Sequence, residues 1–188
     1  MFTTIESGFA EQTIHQSRFY AYMAQVDAEQ KAATFLRAVA AQHKNAHYLA
    51  YAFRIKTVDG IIARFLDANE PSGTAGKPIL QMLEGQKLIN VCIGVIRYYG
   101  CINLGTGGLA RAYCGTAKMA LHKVQLIAYV EMQQITITTS YKRFDELSRA
   151  LSKINGEILH KTFDEAAHFV VKLPISESQQ FLQRFNTV

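Results

Sequence analysis

The sequence is short of the features that mark several common protein classes. It has three cysteines, Cys92, Cys101 and Cys114. Their number is odd and no C-x-x-C spacing occurs, so neither a disulfide framework nor a zinc knuckle is expected and the thiols read as reduced, in a cytoplasmic protein. The longest apolar runs, at 91–96 and 126–130, fall far below the roughly 18–20 residues that span a bilayer, and the first residues lack the basic and apolar stretches of a signal peptide. No membrane partner is expected. There is no internal repeat, no low-complexity tract and no Pro/Gly/Ser-rich linker, which excludes a fibre or a disordered chain and leaves domains that abut with little freedom.

What is present is a chain of 188 residues that is 49% apolar, long enough for one domain or two small ones. The net charge is +5, a weak pointer to a polyanion. Its distribution says more. Residues 1–129 hold 13 Lys and Arg against 8 Asp and Glu, whereas 130–188 hold seven of each. The whole surplus therefore lies in the part of the chain that also holds the glycine clusters, which favours an anionic ligand over a purely acidic protein partner.

Periodicity predicts a strand pair at 9–15 and 18–26, then a helix to about Gln42 with Asp27 as its N-cap and Gln30 at the capping-box position. Strands at 47–55 and 61–66 follow; Leu49, Tyr51, Phe53 and Ile55 recur with period two. Pro71, Gly73 and Gly76 make 67–77 a loop, and Pro78 suits the first turn of a helix reaching about Lys87. The apolar run within 90–98 fits a strand buried on both faces. A glycine-rich loop at 100–108 and a helix at 109–122 complete a first domain, 1–129. In 130–188 the order strand 133–139, helix 144–154, strands 157–163 and 168–173, helix 176–185 predicts a compact ferredoxin-like β-α-β-β-α domain. The fold class is α+β.

Two segments stand out: Asp67-Ala-Asn-Glu-Pro-Ser-Gly-Thr-Ala-Gly-Lys-Pro, and Arg97-Tyr-Tyr-Gly-Cys-Ile-Asn-Leu-Gly-Thr-Gly-Gly-Leu-Ala-Arg. Each sets small residues beside fixed cations and leads into a helix N-terminus, an arrangement suited to phosphate or carboxylate. The candidate anion- or nucleic-acid-binding residues are Gly73, Thr74, Gly76 and Lys77 in the first, and Arg97, Tyr98, Gly105, Thr106, Gly107, Gly108 and Arg111 in the second. Glycines that merely permit tight turns are the plainer alternative, since neither segment matches a Walker or dinucleotide pattern. Tyr98, Tyr99 and Tyr113 could stack on bases or serve as packing residues.

Supporting positions are His43, His47, Asp67, Glu70 and Ser72. His43 and His47 have helical metal-ligand spacing but no intervening Glu, and capping or lining the loop site is the expected role. Asp67 and Glu70 suit either a carboxylate pair or, as favoured for Glu70, bonding to loop amides. Ser72 has no nucleophile elbow around it, and no cysteine has a convincing His partner. No catalytic residue, cofactor or metal is assigned.

The strings E-P-S-G-T-A-G-K-P at 70–78 and R-Y-Y-G-x-x-x-L-G-T-G-G-L-x-R-A-Y at 97–113 closely resemble the paired signatures of the IMPACT/YigZ family. The resemblance extends over nearly the whole chain, including Ser17-Arg-Phe and 43–47. It implies a first domain with the left-handed βαβ fold shared with a small-subunit ribosomal protein and domain IV of elongation factor G, and a second domain like the last domain of that factor. Because the chain ends at Val188, the last strand of such a domain is expected to be short or absent. The resemblance further implies binding to nucleic acid or the translation apparatus, with protein contacts in eukaryotic relatives, and no firm catalytic activity. This chain departs from the family pattern at two places. Asp67-Ala68-Asn69 stands where Asp-Asp-Gly is usual, and Gly100-Cys101-Ile102-Asn103 where Gly-Gly-x-Lys is usual, so acidic, glycine and cationic positions of the expected site are all changed.

The function expected is that of an RNA- or ribosome-associated regulator of translation, in which Lys77, Arg97 and Arg111 neutralise phosphates and the loop amides fix the backbone. The alternatives are an enzyme acting on a phosphorylated or carboxylated small molecule at the same loops, and a protein-interaction module.

Overall fold

The computed structural model describes residues 1–46, 48–163 and 166–186, and the chain divides into two units, Met1–Tyr129 and Val130–Val188. The first unit runs β1 (Phe2–Thr3), β2 (Gly8–Ile14), β3 (Ser17–Gln25), α1 (Glu29–Gln42), β4 (Tyr48–Thr57), β5 (Gly60–Leu66), α2 (Gly76–Gly85), β6 (Val91–Tyr98), α3 (Gly105–Leu121) and β7 (Ile127–Ala128). Its main sheet has the order β2-β3-β6-β4-β5, and every neighbouring pair in it is antiparallel. The short β1 pairs with β7. Because β3 and β4 both oppose β6, they run parallel to each other with β6 between them, and α1 makes the crossover; β5 and β6 stand in the same relation across β4, joined through α2.

Alternation along β3 decides what lies on each face. Phe19, Ala21 and Met23 are buried in a core with Ile79 and Leu83 of α2 and Tyr113 and Ala117 of α3. Arg18, Tyr20 and Tyr22 point the other way. On that second face Leu36 of α1 packs with Phe53, Ile55 and Cys92, the first two from the period-two stripe legible in the sequence. Residues of β6 from Val91 to Arg97 are buried throughout, as a central strand between two layers of helix requires. The α1 stripe lies over β4 and β6, and Phe9 on β2 stays 46% exposed.

Register fixes where the connecting segments gather. Arg18 pairs with Tyr98, Tyr48 with Arg97 and Tyr51 with Leu66. The β2–β3 turn, the residues ahead of β4, the segment after β5 and the segment after β6 therefore meet at one end of the sheet.

The second unit runs β8 (Met132–Thr139), α4 (Phe144–Lys153), β9 (Glu157–Phe163), β10 (Ala167–Pro174) and α5 (Ile175–Phe185), with an antiparallel sheet in the order β8-β10-β9. Alternate residues of β10, Ala167, Phe169, Val171 and Leu173, are buried with Leu147 and Leu151 of α4 and Phe181 and Phe185 of α5. Among the described residues, no helix is long and apolar enough to cross a membrane.

Two element boundaries differ from the sequence expectation. The N-cap of α1 is Ala28, without a side-chain cap bond; Asp27 instead forms an i,i+4 pair with Lys31 at 2.8 Å, so the capping box is not formed. Helix α3 begins at Gly105, four residues ahead of the expected start: Gly105 enters it with a left-handed φ of 66°, and Thr106, Gly107 and Gly108, which read as loop, form its first turn. The core account carries a direct test. Phe19 is wholly buried and edge-on to Tyr113 at 5.3 Å, so Phe19→Ala is expected to cost about 3–5 kcal/mol in urea unfolding followed by circular dichroism.

Candidate functional site

In the first glycine segment the chain supplies its own anion. One carboxylate oxygen of Asp67 accepts from the amides of Ala75 (3.0 Å) and Lys77 (3.3 Å), and the other from Gly73 (2.8 Å). These are the amides ahead of and within the first turn of α2, where a phosphate would otherwise be held. Burial alone would raise the Asp67 pKa, but the bonds from these amides outweigh it and hold the carboxyl below its ordinary value. Asp67 thus performs the amide-holding role expected of Glu70, and the expectation that Gly73 and its neighbours present free amides is corrected. Thr74 is buried and donates to the Pro71 carbonyl at 2.6 Å. Gly76 is explained by packing: a Cβ there would run into the backbone of Leu66. Ser72 is exposed.

Glu70 reaches inward. Its carboxylate takes an ion pair from Arg97 Nη1 at 2.7 Å, with both side chains only 4% exposed, and the Tyr113 hydroxyl donates to the same oxygen at 2.8 Å. Arg97 also donates to Ser17 Oγ (3.3 Å), which accepts from the Gly100 amide as well (3.1 Å). The guanidinium lies 5.1–5.8 Å from the ring centroids of Tyr99, Phe19 and Tyr48, a cation among aromatic faces. Arg97 is therefore placed inside the fold, as a clamp between the two glycine segments, and not among the outward cations where a phosphate would meet it. Tyr113 is fully buried, which removes it from any stacking role; burial first, and then the Glu70 carboxylate, push its hydroxyl pKa far up.

The second segment keeps its helix end open. Asn103 Oδ1 accepts from the Gly105 amide at 3.0 Å, Leu104 at the N-cap makes no side-chain cap bond, and the first turn holds no acidic residue. Gly105, Thr106 and Gly107 are exposed, and the amides of a first helical turn have no intrahelical acceptor. Arg111 lies one turn on, its guanidinium beside Gly107. Among the described residues neither Arg111 nor Lys77 enters an ion pair, and both are exposed. Gly100 is held for a different reason: a Cβ would strike the backbone of Gln16 and Ser17 in the β2–β3 turn.

Three of the four departures from the family pattern fall where the backbone is left-handed. Ala68 (φ 51°), Asn69 (φ 66°) and Cys101 (φ 61°) all have positive φ. Asn69 and Cys101 occupy the positions where the signature has glycine; Asn tolerates this region, whereas Cys adopts it at a cost.

His43 is the C-cap residue of α1; the expected pairing with His47 falls on a residue outside the described ones. The His43 imidazole is bonded on both nitrogens, to the Tyr22 hydroxyl at 2.7 Å and the Tyr98 hydroxyl at 3.0 Å, and burial lowers its pKa. Sequence reasoning missed Tyr20 and Tyr22 beside it. Their period-two spacing with Arg18 was the available signal, since it puts all three on one face of β3.

The cavity of about 640 Å³ in the second unit is lined by Arg149, Lys153, Phe181, Arg184 and neighbours, none of them from the glycine segments. Three outcomes test the first-unit site. Glu70→Ala, which strands Arg97 in the interior, is expected to cost roughly 3–5 kcal/mol in urea unfolding. Asp67→Ala should cost about 1–2 kcal/mol through loss of the amide cap. Because the folded-state Asp67 pKa is depressed, its contribution is complete above the unfolded carboxylate pKa and is lost as pH falls through the folded value. The wild-type advantage over Asp67→Asn in unfolding should therefore shrink on acidification below about pH 4.

Residues 15–121 match the family model described as the Impact N-terminal domain. An IMPACT family member of Haemophilus influenzae is 35% identical over 168 residues, 89% of this chain and 81% of that protein. The IMPACT family member YigZ of Escherichia coli is 31% identical over 169 residues, 89% and 83% respectively. A crystal structure of a hypothetical protein superposes with a TM-score of 0.72 at 29% identity, covering 97% of this chain and 89% of that one. The matched region contains both glycine segments and the ion pair that joins them, and the chain belongs to the IMPACT family.

Proposed function

We propose that the protein is an RNA- or ribosome-associated regulator of translation, acting in the cytoplasm and holding phosphates at the loop end of the first unit's sheet. The observation that carries this reading is the open first turn of α3: exposed Gly105, Thr106 and Gly107 without an acidic residue, flanked by Arg111. Lys77 on the first segment and Arg18 on β3 are further exposed cations on segments at this end. The two acids of the first segment are spent internally, Asp67 on amides and Glu70 on Arg97, so they do not neutralise the cations. The surplus charge of residues 1–129 supports the same partner class, as does the translation role implied by the family resemblance. In this reading the first unit has the left-handed βαβ fold expected from that resemblance and the second the ferredoxin-like one, each built around a strand pair split by a third strand.

The reading predicts an electrostatic binding signature. Affinity for a single-stranded RNA, followed by fluorescence anisotropy, should fall steeply with salt, with a log–log slope of about −0.7 per phosphate neutralised. Lys77→Ala/Arg111→Ala should weaken binding several-fold and reduce the slope by the share of about two phosphates. Unchanged affinity of the double variant for both RNA and ribosomes would count against the proposal.

A further inference from the structure

The half of the sheet that α1 does not lie over carries a cluster of rings. Phe9 on β2 and Tyr22 on β3 are cross-strand neighbours with ring centroids 5.0 Å apart. Tyr20 stands edge-on to Tyr98 at 5.9 Å, and the Arg18 guanidinium lies 5.2 Å from the centroid of the Tyr98 ring. His43 braces the cluster from one side through its bonds to Tyr22 and Tyr98. Phe9 and Arg18 are exposed, and Tyr20, Tyr22 and Tyr98 are half-buried.

Packing against His43 engages the rings of Tyr20, Tyr22 and Tyr98 but leaves Phe9 and Arg18 exposed. Residues that alternate with these, Ala10, Phe19, Ala21 and Met23, are the ones that fill the core. The outward set is aromatic where an ordinary solvated sheet face would be polar, and it contains no exposed Leu, Ile, Val or Met of the kind that fills an apolar protein interface. Rings with phenol rims and one guanidinium suit a ligand that alternates flat π-faces with negative charge. The cluster also reaches Tyr98, the last residue of β6, from which the chain passes directly into the glycine segment ahead of α3.

We infer that this face is a stacking platform for the bases of single-stranded RNA, with Phe9, Tyr20, Tyr22 and Tyr98 receiving bases and Arg18 meeting the intervening phosphate. Glu11, opposite Tyr20 in register, shares the face and sets its acidic border. The inference rests on the RNA-binding reading above and gives it a ligand class: unpaired bases, as distinct from a duplex, whose bases are already stacked on each other.

The experiment measures binding of the full chain to three probes with the same number of phosphates: a labelled single-stranded oligouridine, the same backbone with abasic sites, and an RNA hairpin duplex. The intact strand should bind at least about tenfold tighter than the abasic one. Phe9→Leu/Tyr20→Leu, which keeps apolar volume but removes two of the four rings, should reduce that preference several-fold while leaving abasic binding unchanged, and Phe9→Tyr should retain it. Lys77→Ala/Arg111→Ala should weaken both single strands alike. Equal affinity for intact and abasic strands, or a preference undiminished in the leucine double variant, overturns the platform and leaves phosphate binding at α3 standing. Failure of the full chain to bind any of the three, or ribosomes, at low salt overturns both readings, and a protein partner would then be the occupant to seek.

Discussion

The buried ion pair between Glu70 and Arg97 organises the loop end of the first unit. Two charges taken out of water are tolerated only where geometry and further bonds compensate, and here Tyr113, Ser17 and three aromatic rings enclose the pair. Its consequence is positional. Glu70 ties the segment between β5 and α2 to the end of β6, and Ser17, bonded to both Arg97 and Gly100, ties both to the β2–β3 turn. Three connections that would otherwise move independently share one anchor.

That anchor divides the charged and glycine residues of the signature strings into internal and outward sets. Asp67, Glu70, Arg97 and Tyr113 are consumed in holding backbone and helix ends together. Gly76 and Gly100 allow strands and turns of the same chain to approach each other. What remains for a partner is narrower: the first turn of α3, Arg111, Lys77 and the adjoining aromatic face. Reading a conspicuous motif as a ligand site therefore conflates two roles that burial separates.

Much of the fold was legible in the sequence because its signals are local. The period-two stripe at Leu49, Tyr51, Phe53 and Ile55, the unbroken apolar run of β6, and the β-α-β-β-α order of the second unit follow from side-chain alternation and helix spacing alone. The start of α3 was not, since Thr106, Gly107 and Gly108 have poor intrinsic helix propensity and become helical only through packing of the residues that follow, behind a Gly105 in the left-handed region. Nor was the fate of Arg97, because a cation followed by Tyr98 and Tyr99 gives no local indication that Glu70, 27 residues earlier, lies opposite it. The cap of α1 failed for a related reason: Asp27 had a competing partner in Lys31 one turn away.

The account places ligand contact at the open end of α3 and on the β2–β3 aromatic face, and denies it to the amides already capped by Asp67. Amide hydrogen exchange of the full chain with and without a saturating single-stranded RNA measures this distinction directly. Slowed exchange at Thr106, Gly107 and the outer strand β2, with Gly73 and Ala75 unchanged, is the predicted result. Protection confined to the second unit, or appearing first at Gly73 and Ala75, would contradict it.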